Sequence, residues 1–419
     1  MNRARPTNVT FVSMLGLALS ACSQGPAHCS TPDSSAACTC PGGSTGVQTC
    51  GAGGAQGACE CRADGGGVFR DTTLGVIDPD ATVIDVRRPG TLAGGFGHTC
   101  EAVPDGTVRC WGSNFYGALG DGTRRDQLGP VVAVGLSDAV GIAAAGPDTG
   151  DSSCALRANG TVACWGAWIG SPVTSPRILP GLDDAIAIAG GGSGGNFFCS
   201  IRASGQVACW TEWLAAPTLR FGVSDAVEVV VRGSSLACVR RAVGAVRCFG
   251  GTFLQPVPGT FTGSDAESGV TDAVGVAVTA NGACVLRATG AVHCWGVNDL
   301  GQLGDGTTVS RATPAAVVGL DDAVDLAAGF GHVCARRAGG AIVCWGLNDF
   351  GQIGDGTNTN RLAPTPVVGL VDAIDLAAGE GHTCAHRADG SAVCWGYNEY
   401  GGLGDGTRTN QFTPVPVLP

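Results

Sequence analysis

The sequence predicts an all-β protein: a seven-bladed β-propeller with one disulfide per blade, preceded by a small cysteine-rich neck. Three observations carry this. Fourteen of the 21 cysteines fall into seven pairs, each separated by ten positions: Cys100 with Cys110, Cys154 with Cys164, Cys199 with Cys209, Cys238 with Cys248, Cys284 with Cys294, Cys334 with Cys344, and Cys384 with Cys394. A glycine stands six residues after every first cysteine, from Gly106 to Gly390. The pairs recur at periods of 39 to 54 residues, room for about four strands per unit.

The 419 residues divide into a signal at 1–21, a neck at 22–68 and the propeller at 69–419. Arg3 and Arg5 precede an apolar run from Val9 to Leu19, too short to span a bilayer, so the segment reads as a secretory signal. It ends in Leu19-Ser20-Ala21-Cys22, which resembles the bacterial lipobox. That resemblance implies lipidation at Cys22 and, with Ser23 next, an outer-membrane lipoprotein facing the periplasm or the surface.

The neck is rich in Gly, Ala, Ser and Thr and carries Cys29, Cys38 and Cys40, a spacing that returns 21 residues later in Cys50, Cys59 and Cys61. With almost no apolar side chains, such a segment holds shape through crosslinks. Six cysteines permit fifteen disulfide pairings, and a stapled spacer is the expected role, with a small recognition module as the alternative. One cysteine at the lipid, six in the neck and fourteen in hairpins account for the odd total.

Each ten-residue separation fits a hairpin. With Cys100 opposite Cys110, Glu101 faces Arg109 and Ala102 faces Val108, leaving a three-residue loop, Pro104-Asp105-Gly106. Such loops close through a left-handed glycine. Directly opposed residues lie within disulfide range, so each of the seven pairs is expected to be bridged within its hairpin. Trp follows the second cysteine in six repeats and Phe249 in the fourth, on the face opposite the cysteine. Both hairpin faces are therefore apolar and need sheet neighbours on each side. Asp-Ala-Val or Asp-Ala-Ile elements beginning at Asp138, Asp184, Asp225, Asp272, Asp322 and Asp372 supply a further strand. Proline-marked stretches such as Thr313 to Val318 and Thr365 to Val368 suit a blade edge.

Gly381-His382-Thr383-Cys384-Ala385, Asp389-Gly390, Cys394-Trp395-Gly396-Tyr397-Asn398 and Gly401-Gly402-Leu403-Gly404-Asp405-Gly406-Thr407 together resemble the repeat of the regulator of chromosome condensation (RCC1) family. The resemblance covers about residues 85 to 419. It is close in repeats one, five, six and seven and loose in two, three and four. It implies a seven-bladed propeller closed by pairing strands from both ends of the domain, which would set Thr413 to Leu418 beside the first repeat. With the lipobox-like N-terminus, the chain as a whole resembles a bacterial lipoprotein of myxobacterial type and is distantly similar to a secreted propeller that inhibits β-lactamases.

Composition narrows the partners. A net charge of −11 argues against nucleic acid, and the 24 basic residues are all Arg. Guanine-nucleotide exchange, the activity of the founding member, does not suit a secreted, disulfide-linked chain. His98, His332 and His382 stand at matched positions and read as hydrogen-bonding elements of their turns. The Asp-Gly-Thr triplets at Asp121, Asp305, Asp355 and Asp405 offer too few oxygens for calcium and read as turns. No catalytic residue, metal site or cofactor is expected.

The repeats are unequal. Repeats one, five, six and seven carry a full loop from Asn114, Asn298, Asn348 and Asn398 to the Asp-Gly-Thr triplet, whereas repeats two to four lack it. The irregular half is expected to be the aromatic one, through Trp168, Phe197, Phe198 and Trp213. With Phe115 and Tyr116 of the first long loop, these are the candidate partner-binding residues. The expected function is a monomeric, non-catalytic module that binds an unidentified protein or glycan at the cell envelope and meets the membrane only through its lipid. An inhibitor of a periplasmic or secreted hydrolase is the alternative, and a glycan-active enzyme a third.

Overall fold

A computed structural model describes residues 91–146, 150–167, 171–191, 196–211, 216–233, 236–249 and 266–419, together with three neck strands at 35–39, 45–50 and 56–61. Every regular element among them is a β-strand. The chain divides into two compact units, 1–82 and 83–419.

In the first unit, Ser35–Thr39, Thr45–Cys50 and Gln56–Cys61 form a three-stranded antiparallel sheet in chain order. The lipidation site Cys22 and the neck cysteines Cys29 and Cys40 lie outside the described residues.

The second unit holds seven four-stranded antiparallel sheets, each made from one continuous stretch of chain. The sixth blade shows the plan. Its inner strand Ala323–Ala328 is followed by His332–Arg337, Ile342–Gly346 and an outer strand Arg361–Pro366. Inner strands are rich in Ala because seven of them crowd the axis. Ala143, Ala189, Ala277, Ala327 and Ala377 line a central cavity of about 270 Å³. Arg232 reaches from the fourth blade to the sixth, donating through Nη2 to the Ala328 carbonyl at 2.5 Å. Burial pushes its guanidinium below the ordinary value, and Glu380 acts against that shift.

The antiparallel meander sets the connection from first to second strand and that from third to fourth at one end of each blade, so the long loops of blades one, five, six and seven and the Gly-x-Gly-His turns of blades one, six and seven share one face. The hairpin tips and the segments linking one blade to the next lie at the other. The first end is the long-loop face and the second the hairpin face.

The hairpins have the expected register, with Cys100 opposite Cys110, Glu101 opposite Arg109 and Ala102 opposite Val108. All seven expected disulfides are present. In blades one to three Cys100 is bonded to Cys110, Cys154 to Cys164, and Cys199 to Cys209. In blades four and five Cys238 is bonded to Cys248 and Cys284 to Cys294. In blades six and seven Cys334 is bonded to Cys344 and Cys384 to Cys394. Their Cα–Cα distances are 4.0–4.1 Å, the close approach of directly opposed strand residues. The second cysteines Cys164, Cys209, Cys248, Cys294 and Cys344 are all buried, as are their partners, so the bridges sit between blades rather than on the surface.

The turn glycines are left-handed, Gly106 at φ +86°. They have a second role that spacing alone did not show. The carbonyl of each of the first six accepts a hydrogen bond from the alanine that opens the next blade, as in Ala139 N to Gly106 O and Ala373 N to Gly340 O, both 2.9 Å. This explains the Asp-Ala element. The alanine fits under the preceding hairpin tip, while the aspartate pairs with an arginine of its own blade, as in Asp322 with Arg337 at 2.8 Å.

Gly290 and Gly390 separate the two demands on the turn. Both are left-handed, at φ +84° and +83°, but a Cβ on Gly290 would lie 2.5 Å from the Asp321 carbonyl oxygen, whereas one on Gly390 meets nothing within 4 Å. Gly390→Ala is expected to cost about 1–2 kcal/mol from backbone conformation alone. Gly290→Ala adds the clash and lowers the urea midpoint further. Equal midpoints for the two variants would contradict the inter-blade contact.

Closure differs from the expectation. The first blade is complete within residues 91–132, its inner strand being Thr91–Gly94, and Gln411–Pro416 is the outer strand of the seventh blade. Among the described residues, no blade mixes strands from the two ends. The C-terminal segment does reach the first blade, but by packing, with a Leu418 methyl carbon 3.2 Å from where a Cβ on Gly129 would stand. Thr91–Gly94 lacks the Asp-Ala-Val signature that marks the other six inner strands, so that pattern does not reveal it.

Candidate functional site

The long loops are rigid because a buried asparagine organises each one. Asn348 Oδ1 accepts from Ile353 N at 2.9 Å, and its Nδ2 donates to the carbonyls of Thr357 and Thr359 at 3.1 and 3.0 Å. Asn114, Asn298 and Asn398 are equally buried and hold their loops in the same way. The Asp-Gly-Thr carboxylates are taken up within the turns, Asp355 accepting from Thr357 N at 3.0 Å and from its hydroxyl at 2.8 Å. Burial works against their charge, yet bonds from Thr307 and Arg311 hold Asp305 below its ordinary value, and Thr357 and Arg361 do the same for Asp355.

Each full loop also fastens the next blade. The Gln352 carbonyl accepts from Trp395 Nε1 at 2.9 Å and from the Thr383 hydroxyl at 3.0 Å. Gly402 serves Trp111 and Thr99 alike, and Ala118 serves Trp165 and Ser153. The three matched histidines complete this latch. His332 Nε2 meets Thr383 Oγ1 at 3.0 Å, His382 meets Thr99 at 2.8 Å, and His98 meets Ser153 at 3.0 Å. Since each hydroxyl gives its proton to a carbonyl, it accepts one from the imidazole, which fixes the Nε2–H tautomer. The histidines therefore join neighbouring blades rather than closing their own turns. Burial lowers His332 to about 3 and His382 to about 4, so both are neutral. Gly329 and Gly379 make room for the rings: a Cβ on either would sit 2.0 or 2.2 Å from the imidazole. The sequence of blade two carries no such loop, and Trp210 Nε1 of blade three has no hydrogen-bond partner.

The candidate binding residues separate. Phe197 and Phe198 are buried in the strand Phe197–Arg202, and Phe198 stacks on Trp210 with ring centroids 5.9 Å apart. They are core residues, because strand alternation and blade-to-blade packing bury both faces here. Trp168 and Trp213 lie outside the described residues. Phe115, at 60% exposure, and the half-buried Tyr116 do stand on the surface, as an edge-to-face pair 4.9 Å apart.

Phe115 and Tyr116 belong to a larger patch on the regular half of the ring, which the sequence reading does not single out as a cluster. Phe96 packs between Tyr397 and Tyr400 at 5.9 and 6.2 Å, and Phe350 meets Tyr397 at 4.9 Å. All come from long loops or Gly-x-Gly-His turns of blades six, seven and one, on a single face. Exposed acids stand next to two of these rings, as Asp349-Phe350 and Glu399-Tyr400. The signal available in the sequence was the pair of residues following each loop asparagine: Phe115-Tyr116, Asp299-Leu300, Asp349-Phe350 and Glu399-Tyr400.

Residues 289–336 and 340–386 match the regulator of chromosome condensation (RCC1) repeat, and a second description of that repeat matches 323–352 and 373–401. Among solved structures, the propeller is similar to Prp20p of Saccharomyces cerevisiae, described for its binding to Gsp1p and histones, at 18% identity and a TM-score of 0.63 over 75% of this chain and 86% of that one. Yeast RCC1 (Prp20) bound to Kap60 gives 17% identity and 0.66 over 85% and 90%. Human WBSCR16 gives 20% and 0.62 over 75% and 94%. At these identities the likeness is one of fold. The last three blades thus carry RCC1 repeats, and the chain is an RCC1-like seven-bladed propeller.

Proposed function

We propose that this chain is a lipid-anchored, extracytoplasmic binding module that holds a protein partner on the long-loop face of its propeller and catalyses no reaction. The aromatic patch of blades six, seven and one carries the reading. It combines exposed rings with loops that are fixed by buried asparagines, so little ordering cost accompanies binding. The buried histidines and the Asp-Gly-Thr carboxylates are engaged in inter-blade and intra-loop bonds, which favours a scaffold over an acid–base site. The twenty paired or pairable cysteines after Cys22 and the signal-like N-terminus support an oxidising compartment. A hydrolase inhibitor is one form of the same reading, with the hydrolase as partner.

The absence of lysine provides a clean test. Carbodiimide coupling in intact envelopes joins this chain's carboxylates to lysines of other proteins, with no lysine of its own to compete. The expected result is one stoichiometric crosslinked partner, lost in a triple variant with Phe115→Ala, Phe350→Ala and Tyr400→Ala of unchanged melting temperature. Equal capture by that variant, or turnover of a glycan panel by the purified chain, contradicts the proposal.

A further inference from the structure

On the long-loop face, where blades seven, one and two meet, lies a pocket of about 500 Å³. Phe96, Phe115, Tyr116 and Tyr400 wall it, and Asp126 and Asp151 are among its lining residues. Two glycines make the walls possible. A Cβ on Gly97 would come within 2.9 Å of the Tyr400 ring, and one on Gly150 within 2.6 Å of the Tyr116 ring.

The two carboxylates differ in what they have left to give. Asp126 accepts from Asn114 N at 2.9 Å and pairs with Arg408 at 3.0 Å, so its charge is matched within the protein. Asp151 is only 6% exposed, and its Oδ1 has no hydrogen-bond donor. The nearest cationic candidate, His98 Nδ1, is 3.4 Å away and makes no hydrogen bond to it. A buried carboxylate with unused acceptor capacity is costly unless a ligand completes it.

Aromatic faces carry negative potential and attract cations, most strongly where water is excluded. The protein already uses this chemistry at the rim, where the Arg124 guanidinium lies 5.0 Å over the Phe115 ring. A neutral sugar could stack on these rings but would bring no positive charge to the two acidic residues, and an anion would be repelled. We propose that the pocket formed by Phe96, Phe115, Tyr116, Tyr400 and Asp151 takes the cationic end of a Lys or Arg side chain from the partner protein. This inference rests on the reading of the long-loop face as the docking surface.

The test is calorimetric titration of the full chain with Nα-acetyl-lysine methylamide, Nα-acetyl-arginine methylamide, choline and maltose. Binding of one or both amides, weakened by salt, is expected, with choline weaker and maltose silent. Asp151→Asn should reduce amide affinity roughly tenfold or more, as loss of a charge-assisted bond implies. Phe115→Ala, which removes an exposed ring and leaves the core intact, should reduce it several-fold, so the proposal does not depend on one buried substitution. Maltose binding in place of the amides, choline binding more tightly than either, silence of all four probes at millimolar concentration, or indifference to both substitutions overturns it. Any of these results alongside partner capture that still depends on the aromatic patch would leave the docking face standing and remove only the cation site.

Discussion

Reduction and alkylation of the seven blade disulfides is expected to unfold the propeller at ambient temperature. Each disulfide closes a loop of about ten residues, worth roughly 2–3 kcal/mol if its effect is mainly on the unfolded chain. Seven such contributions would reach roughly 14–21 kcal/mol if additive, and even half of that is comparable to the whole net stability of about 5–15 kcal/mol typical of a folded domain. The blades have little to set against this loss. Their inner strands are mostly Ala, Val and Gly, and their outer strands are short and partly exposed, as in Arg361–Pro366. Removing one bridge, with Cys334→Ala and Cys344→Ala together, should lower stability by about 2–3 kcal/mol and leave the fold intact. The buried tryptophans, among them Trp111, Trp345 and Trp395, report the transition by fluorescence. A reduced, alkylated protein that keeps its melting temperature would mean that packing alone holds the ring.

Stability should also peak near pH 6.5 and fall on both sides, because buried histidines are shifted in opposite directions. His386 lies at the junction of blades seven and one, its Nε2 3.0 Å from Glu101 and its Nδ1 3.4 Å from Asp375. Burial opposes its charge, but the bonds and charges of Asp375 and Glu101 prevail and raise it to about 9. Its contribution is complete below the unfolded value of about 6.5 and is lost as pH rises from there through about 9. The size is on the order of 3 kcal/mol at most, taking about 1.4 kcal/mol per pH unit. His332 and His382 act in the other sense. Held neutral at about 3 and about 4, they leave stability intact above 6.5, and it falls as acid protonates the unfolded chain first. Melting temperature across pH 4 to 10 checks this. His386→Gln should flatten the alkaline limb and His382→Gln the acid limb. An alkaline limb unchanged by His386→Gln would place the ring-closing interaction elsewhere.

What the sequence disclosed depends on whether a contact is local. The hairpin register follows from cysteine spacing and one glycine, because ten residues of antiparallel strand leave little choice of turn. The Asp-Ala elements announced the inner strands through their contrast with the glycine-rich turns around them. Inter-blade contacts were harder to see. His382 meets Thr99 across the ring closure and Trp111 meets Gly402, partners at opposite ends of the propeller sequence. The aromatic patch was hidden for the same reason: Phe96, Phe350 and Tyr400 are distant in sequence and converge only when blades six, seven and one become neighbours. Phe197-Phe198 misled because adjacent aromatics in a loop and in a strand look alike until the strand is packed on both faces.

Intact mass of the protein taken from native envelopes, with thiol alkylation before and after reduction, tests the account most directly. The prediction is a mature chain beginning at a lipid-modified Cys22, no alkylation before reduction, and twenty alkylated cysteines after it. Alkylation of the blade cysteines without reduction, or an N-terminus lacking the lipid mass, would contradict a disulfide-stapled propeller anchored outside the cytoplasm.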